Sequence, residues 1–166
     1  MNRLLVYAAA LIAVSLMCSE VMLAQAAQVD PFIGAWRLNL AKSKFDNIQG
    51  PDKPVVMTVL GQGDARLVIV EGITPDEKSI AYSYLIDWAG SKKSPIAGTG
   101  APNGEDTIAA NKVDDHTIET TGTKAGSVVY TSKMAVSEDG KTMTITSEGT
   151  NKQGMPTHAA TVWDKK

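Results

Sequence analysis

The stretch Phe32-Ile33-Gly34-Ala35-Trp36-Arg37-Leu38 decides the fold, because it begins the first clear strand pattern of the chain. Side chains alternate across a strand, so Trp36, Leu38 and Leu40 share one face. A large ring on such a face fills volume that smaller residues would leave empty. We therefore predict that Trp36 packs one end of a small β-domain.

Strand patterns recur along the chain at a spacing of roughly 8–12 residues, which is typical of barrels and sandwiches. In the longest pattern, residues 78–88, the large side chains share one face: Ile80, Tyr82, Tyr84, Ile86 and Trp88. The other patterns cover residues 36–40, 55–60, 66–71, 93–97, 107–113, 117–121, 128–136, 142–148 and 157–163. Because the linkers are short enough for hairpins, we predict an all-β, antiparallel up-and-down β-barrel of about 8–10 strands.

Two segments interrupt this pattern. Residues 41–53 contain Phe45 and Ile48 as their only large apolar residues. We predict either a single helical turn or an extended loop there, with Phe45 plugging one end of the barrel. Residues 98–104 are rich in glycine and are predicted to form a loop. They lack the Lys-Ser/Thr pair of a phosphate-binding loop.

Residues 1–26 have the pattern of a secretory signal peptide. Met1-Asn2-Arg3 supplies the positive start, an apolar run follows, and Ala24-Gln25-Ala26 offers the small residues that signal peptidase requires. The apolar run is shorter than the roughly 20 residues that span a bilayer. The pattern therefore predicts a periplasmic or secreted protein with no membrane span.

Cleavage after Ala26 or after Ala27 would leave a single domain, residues 27–166. The competing possibility is a lipoprotein anchored through Cys18, and Met17 takes the place of the small residue that usually precedes such a cysteine. Because Cys18 is the only cysteine, the mature chain can have no disulfide, no zinc–cysteine site and no cysteine nucleophile.

Composition excludes some classes of partner. The full chain has a net charge of −2, whereas nucleic-acid binding normally needs a basic face. The same balance argues against electrostatic attachment to anionic lipid. Apolar residues make up 43% of the chain, which favours a packed domain over disorder. We expect a monomer.

Both ends of the predicted domain resemble known barrel proteins. The stretch at residues 32–38 is similar to the Phe-x-Gly-x-Trp-Lys-Leu opening of fatty-acid-binding proteins, and Val162-Trp163-Asp164-Lys165 resembles their closing residues. The chain is still more similar to lipocalin-like proteins of soil bacteria. Their theme Gly-x-Trp-x-Leu-Asn-x-Ala-Lys-Ser-Lys-Phe fits residues 34–45, and their late hairpin fits residues 139–144. The resemblance implies a calycin barrel with an interior pocket.

The resemblance also has gaps. Fatty-acid-binding proteins have a two-helix lid between their first two strands, and residues 41–53 are too few to form it. They commonly place an arginine two residues before the final aromatic residue, where it binds a fatty-acid carboxylate. This chain has Thr161 at that position. The resemblance therefore implies the fold, and carboxylate recognition does not follow from it.

The best candidates for ligand contact are large side chains on the apolar faces of their strands. Most have a polar tip that could orient a ligand, and barrels of this size can hold one small molecule. The predicted ligand-binding residues are Tyr82, Tyr84, Trp88, Tyr130, Met143 and Trp163. Met57, Met134 and Ile145 extend the same inward set. The alternative is that these side chains pack the interior shut.

Residues that could support catalysis or metal binding are few. His116 follows Asp114 and Asp115 at a hairpin tip, where a solvated turn is favoured over a metal site. His158, near the barrel mouth, could act as an acid or base but has no recognisable partner. Ser79, Ser83 and Ser132 show no nucleophile motif. We assign no catalytic residue, no metal and no cofactor.

Three functions are compatible with this pattern. The leading hypothesis is an exported barrel that binds a small, mostly apolar molecule in its interior. The second is a cell-envelope interaction protein with a solid barrel, whose loop at residues 89–106 binds a partner. The third, which the sequence favours least, is a small barrel enzyme that uses His158 or a pocket tyrosine. An open interior would favour the first hypothesis and a packed interior the second.

Overall fold

Alternating inward side chains and short turns produce an antiparallel sheet, as predicted. The computed structural model describes residues 30–87, 92–151 and 154–166, and these contain eleven β-strands and no helix. The strands are β1 (Gly34–Asp46), β2 (Val56–Gln62), β3 (Ala65–Ile73), β4 (Ser79–Asp87), β5 (Ser94–Pro95), β6 (Ala97–Thr99), β7 (Thr107–Lys112), β8 (Thr117–Lys124), β9 (Ser127–Val136), β10 (Thr142–Thr150) and β11 (Pro156–Lys165).

The sheet curves into a nearly closed barrel. Its strand order is β5-β7-β8-β9-β10-β11-β1-β2-β3-β4-β6, so β1 pairs with β2 on one side and with β11 on the other. β4 lies beside β7 without forming a ladder with it. The opening of the sheet lies between β4 and β7. The short strand β5 pairs with β7 and the short strand β6 pairs with β4, so both lie at this opening.

The predicted strand at residues 93–97 is divided between β5 and β6, which raises the strand count above the number expected. The prediction of a loop over residues 98–104 is wrong at its start, because β6 includes Gly98 and Thr99. A Cβ atom on Gly98 would lie 2.1 Å from the carbonyl oxygen of Ala81 on β4. Glycine therefore permits the close approach of the two strands.

The first strand is longer than predicted. Residues 41–46 continue β1 instead of forming a helical turn or a loop, with a shift in register against β11 between Asn39 and Lys44. At this bulge the Ser43 side chain makes hydrogen bonds in place of regular backbone ladder bonds. Its hydroxyl donates to the carbonyl oxygen of Asn39 (2.7 Å) and accepts from the amide of Val162 (3.0 Å). This bonding keeps the extended strand in the sheet.

One end of the barrel is packed solid. Trp36 is 0% exposed, and its Nε1 donates to the carbonyl oxygen of Phe32 at 2.8 Å. The ammonium of Lys165 lies 4.9 Å from the centre of the Trp36 ring. The other buried side chains of this end, which we call the floor, are Phe32, Val59, Val68, Ile86, Ile118, Val136 and Met143. Trp36 thus packs one end of the barrel, as predicted.

Candidate functional site

A cavity of about 580 Å³ lies in the barrel beyond the floor. Ligand pockets usually have volumes of roughly 300–1,000 Å³, so the cavity can hold a small organic molecule. One wall is apolar and comes from the first three strands and the residue before β2; its side chains are Leu38, Val55, Met57 and Val70. Side chains of β4 and of β8 to β11 form much of the opposite side, and residues of the connecting segments, Glu105 among them, complete the lining. The interior is hollow at this level.

Four of the predicted ligand-binding residues line this cavity: Tyr82, Tyr84, Tyr130 and Trp163. The rings of Tyr82 and Tyr84 are stacked on β4, with centroids 6.3 Å apart and planes 15° apart. Because Tyr82 and Tyr84 are two residues apart on one strand, they project from the same face of the sheet. Their contact with a ligand remains a prediction.

The other two predicted residues are placed differently. Met143 is 0% exposed and belongs to the floor. It does not line the cavity, so its position does not support a role in ligand contact. Its strand neighbour Ile145 lines the cavity instead. Sequence alternation gives the correct face for Met143 but not its depth along the barrel axis. Trp88 lies outside the described residues.

A row of hydroxyl side chains crosses three neighbouring strands at one level of the cavity. Thr120 on β8 is opposite Ser132 on β9, and Ser132 is opposite Ser147 on β10. The hydroxyl oxygens of Thr120 and Ser132 are 2.7 Å apart and share a hydrogen bond. All three residues line the cavity. This hydroxyl row gives the lining a polar side opposite the apolar wall.

Tyr130 occupies the next level towards the mouth, between two glycines. Gly122 on β8 and Gly149 on β10 are its partners in the adjacent ladders. A Cβ atom would lie 2.1 Å from Cε1 of Tyr130 at Gly122, and 3.0 Å from Cβ of Tyr130 at Gly149. The two glycines therefore leave the space in which the Tyr130 side chain sits.

A buried carboxylate, Glu105, also lines the cavity, and no pattern in the sequence predicts it there. Its side chain is 7% exposed, and Oε2 accepts the amide of Asn103 at 2.9 Å. Burial raises the pKa of Glu105; the backbone amides of Glu105 and Asn103 and the charge of Lys124 oppose this effect. Removal from water disfavours the charged form of a carboxyl group.

The tyrosines of the cavity are neutral at physiological pH. Burial raises the pKa of Tyr82, Tyr84 and Tyr130 well above 10, and the charge of Glu105 contributes to each shift. For Tyr130, a hydrogen bond with Thr120 partly opposes the rise in pKa. Each ring therefore offers a hydroxyl that can both donate and accept a hydrogen bond.

Thr161 lies where fatty-acid-binding proteins commonly have an arginine, and its hydroxyl is engaged. It accepts the Nε1 hydrogen of Trp163 at 3.0 Å and donates to the carbonyl oxygen of Ile145 at 3.3 Å. These bonds fix the indole of Trp163 at the cavity wall. The structure thus gives Thr161 a role in positioning this ring.

The mouth of the cavity is the end that carries Phe45. The Phe45 ring lines the cavity and packs against Gly50, where a Cβ atom would lie 2.6 Å from the ring. Phe45 lies at the barrel end opposite Trp36, and the cavity occupies the interior between Phe45 and the floor. Asp76 and Lys78 form an exposed ion pair at the rim. His158 is also exposed and lines the cavity from β11, where its ladder partners are Asp46 and Glu148.

His116 lies in the β7–β8 turn, as predicted. Its amide donates to the Asp114 carboxylate at 2.8 Å, and its Nδ1 lies 3.2 Å from the carbonyl oxygen of Val136. In the described part of the chain, no group of three or more His, Cys, Asp or Glu residues could hold a metal ion. The part of the chain that the structure describes contains no helix long and apolar enough to cross a bilayer.

Comparison with known proteins places this architecture among calycin-type barrels. No family model and no curated protein matches the sequence. The zebrafish ileal bile acid-binding protein complexed with cholic acid is similar in structure, with a TM-score of 0.51 and 13% identity over 82% of this chain and 99% of that chain. A structure described as the REP1-NXSQ fatty acid transporter has a TM-score of 0.47 and 10% identity over 81% of this chain and 95% of that chain. At 13% identity, the likeness to the bile acid-binding protein shows the fold alone.

Proposed function

We propose that this protein is an exported, monomeric, lipocalin-like barrel that binds a small, mostly apolar molecule in its interior. The observation that carries the proposal is the hollow cavity of about 580 Å³ beyond the floor. A packed interior would have favoured a solid scaffold with functional loops. The bile acid-binding protein of zebrafish, which was solved with cholic acid, has a similar barrel.

The driving force is the removal of apolar ligand surface from water. Each square ångström that the ligand buries against the apolar wall contributes about 25 cal/mol before the costs of association. Leu38, Val55, Met57 and Val70 supply this wall. The tyrosine hydroxyls and the hydroxyl row bind the polar part of the ligand and orient it.

Export and origin complete the proposal. The signal-peptide pattern of residues 1–26 supports delivery to the periplasm or the medium. The theme at residues 34–45 supports grouping with the lipocalin-like proteins of soil bacteria. Expression of the full chain in a bacterial host tests export: the mass of the product in the periplasmic fraction should correspond to an N-terminus after Ala26 or Ala27. A full-length product confined to the cytoplasm would contradict export.

Native mass spectrometry of gently purified protein tests the interior site. We expect a discrete added mass that is lost or reduced in Tyr84→Ala. The control is Leu85→Ala on the same strand, because Leu85 is 43% exposed and points out of the barrel. An added mass that persists in Tyr84→Ala, and also in a second cavity variant, Trp163→Ala, would overturn the interior site.

A further inference from the structure

Glu105 is the one buried carboxylate among the described residues that line the cavity. Oε2 is held by the amide of Asn103, so the group has a fixed position. Burying a carboxylate is unfavourable unless donors or a cation compensate for the lost water. Its fixed, buried position at the cavity wall is suited to a ligand that brings donors of its own.

The basic residues nearby do not supply a cation inside the cavity. Within the described lining, Lys78 is the only lysine or arginine, and it is exposed at the rim in its ion pair with Asp76. Lys124 acts on Glu105 from an exposed position on β8 and is not part of the lining. A carboxylate ligand deep in the cavity would be repelled by the charge of Glu105, and no lysine or arginine of the described lining lies deep enough to offset that repulsion. Like charges in a site of low dielectric repel strongly.

Hydrogen-bond acceptors line the same cavity. Tyr82, Tyr84 and Tyr130 share the lining with Glu105, and the charge of Glu105 contributes to the raised pKa of each tyrosine. Thr120, in the hydroxyl row, is hydrogen-bonded to Tyr130 and to Ser132. Hydroxyl oxygens accept hydrogen bonds from an ammonium group, which has three donors and no acceptor.

We propose that the cavity binds amphipathic amines, with the ammonium group of the ligand on Glu105 and its hydrocarbon part along the apolar wall. The proposal rests on the function proposed above and specifies the chemical class of ligand for the same cavity. The ammonium donates one hydrogen bond to the Glu105 carboxylate, and its remaining donors reach the tyrosine and threonine hydroxyls. The hydrocarbon part extends towards Val55, Met57 and Val70.

Three probes with the same chain and different polar ends test this proposal: decylamine, decanol and decanoate, titrated by calorimetry near neutral pH. We expect decylamine to bind roughly 10- to 100-fold more tightly than either of the others, as a charge-assisted hydrogen bond implies. Glu105→Gln should remove most of this preference. Glu119→Gln is the matched control, because Glu119 is exposed on β8 and does not line the cavity.

The outcomes separate the two proposals. If decanol or decanoate binds as tightly as decylamine, or if Glu105→Gln keeps the preference, the amine proposal fails while interior binding stands. If no probe binds, interior binding of such molecules fails with it.

A pH series on the unmodified protein gives a second readout that does not depend on a variant folding. The pKa of Glu105 is raised by burial, and the charge of Lys124 opposes this effect. The other titratable side chains of the described lining are the buried Tyr82, Tyr84 and Tyr130 and, exposed at the mouth, Asp76, Lys78, Glu148 and His158. Burial keeps the three tyrosines neutral throughout the series, and the same series on His158→Gln separates any contribution of that histidine. Acidification should therefore weaken decylamine binding as Glu105 takes up a proton and leave decanol binding nearly constant. Parallel curves for the two probes would overturn the proposal.

Discussion

Tyr130 occupies space that exists because Gly122 has no side chain. The two residues are partners in the β8–β9 ladder, and a Cβ atom on Gly122 would lie 2.1 Å from Cε1 of the Tyr130 ring. A distance this short requires the ring to move. The glycine thus fixes the position of an aromatic residue on the cavity wall from the neighbouring strand.

Gly122→Ala should therefore displace the Tyr130 ring and reshape the cavity. We expect a loss of about 1–3 kcal/mol in the free energy of unfolding, as for other overpacked sites, together with weaker ligand binding. Urea unfolding and probe titration measure the two effects. Thr121→Ala, at the next position on β8, is the control. Unchanged stability and affinity in Gly122→Ala would show that the ring tolerates a Cβ atom.

Substitution of Trp36 should lower the free energy of unfolding more than substitution of an exposed apolar residue does. Removing its fully buried ring by Trp36→Ala should cost about 3–5 kcal/mol, because the floor cannot collapse around the lost volume. Leu60→Ala is the control: Leu60 is 46% exposed, and changes at exposed positions usually stay within about 0.5 kcal/mol. Equal losses in the two variants, measured by urea unfolding, would contradict a packed floor.

Alternation along the strands predicted much of the cavity wall. The face that carries Tyr82 and Tyr84 on β4 points inward, as expected, because the period of a strand is two residues. The same rule identifies Ser132, which lies between the inward residues Tyr130 and Met134. Alternation could not separate the floor from the cavity, which explains the placement of Met143.

Glu105 could not have been predicted from the pattern. It precedes β7 in a connecting segment, where no periodicity indicates which side chains point inward. Its burial follows from the path of the segment at residues 101–106, which is held by tertiary contacts such as the hydrogen bond from the Asp106 amide to the carbonyl oxygen of Thr123. The extension of β1 through Asp46 was missed for a related reason. The bonds between Ser43 and the backbone of Asn39 and Val162 replace regular ladder bonds there.

Glu105 should lower the stability of the ligand-free protein at neutral pH. Burial raises its pKa in the folded state above the ordinary value of 4.5, so the folded protein binds this proton more tightly than the unfolded chain does. Stability therefore rises as pH falls through the window between the ordinary and the raised pKa. Glu105→Gln should have a higher Tm than wild type at pH 7, and the difference should shrink on acidification.

Glu119→Gln, at an exposed position on β8, is the matched control, and its Tm at pH 7 should stay close to that of wild type. A Glu105→Gln variant that is less stable than wild type at neutral pH, by thermal unfolding, would show that the carboxylate is fully compensated in the folded state.

Ser43→Ala tests the bulge in β1. The substitution removes the acceptor of the Val162 amide and should cost about 0.5–1.5 kcal/mol, the range for the loss of one hydrogen bond at a partly buried position. Ser79→Ala, at an exposed position on β4, should change stability little. Comparable urea midpoints for Ser43→Ala and wild type would show that the amide finds another partner.

The most direct test of interior binding is to measure ligand binding to a variant whose cavity is filled by a large side chain. Ser147 faces the cavity, whereas its neighbour Thr146 is exposed on the outer face of β10. Titration with the neutral apolar fluorophore N-phenyl-1-naphthylamine should show saturable binding to wild type and to Thr146→Trp. Binding should be lost in Ser147→Trp, whose fold is checked by circular dichroism. Undiminished binding to a folded Ser147→Trp variant would contradict a ligand site inside the barrel.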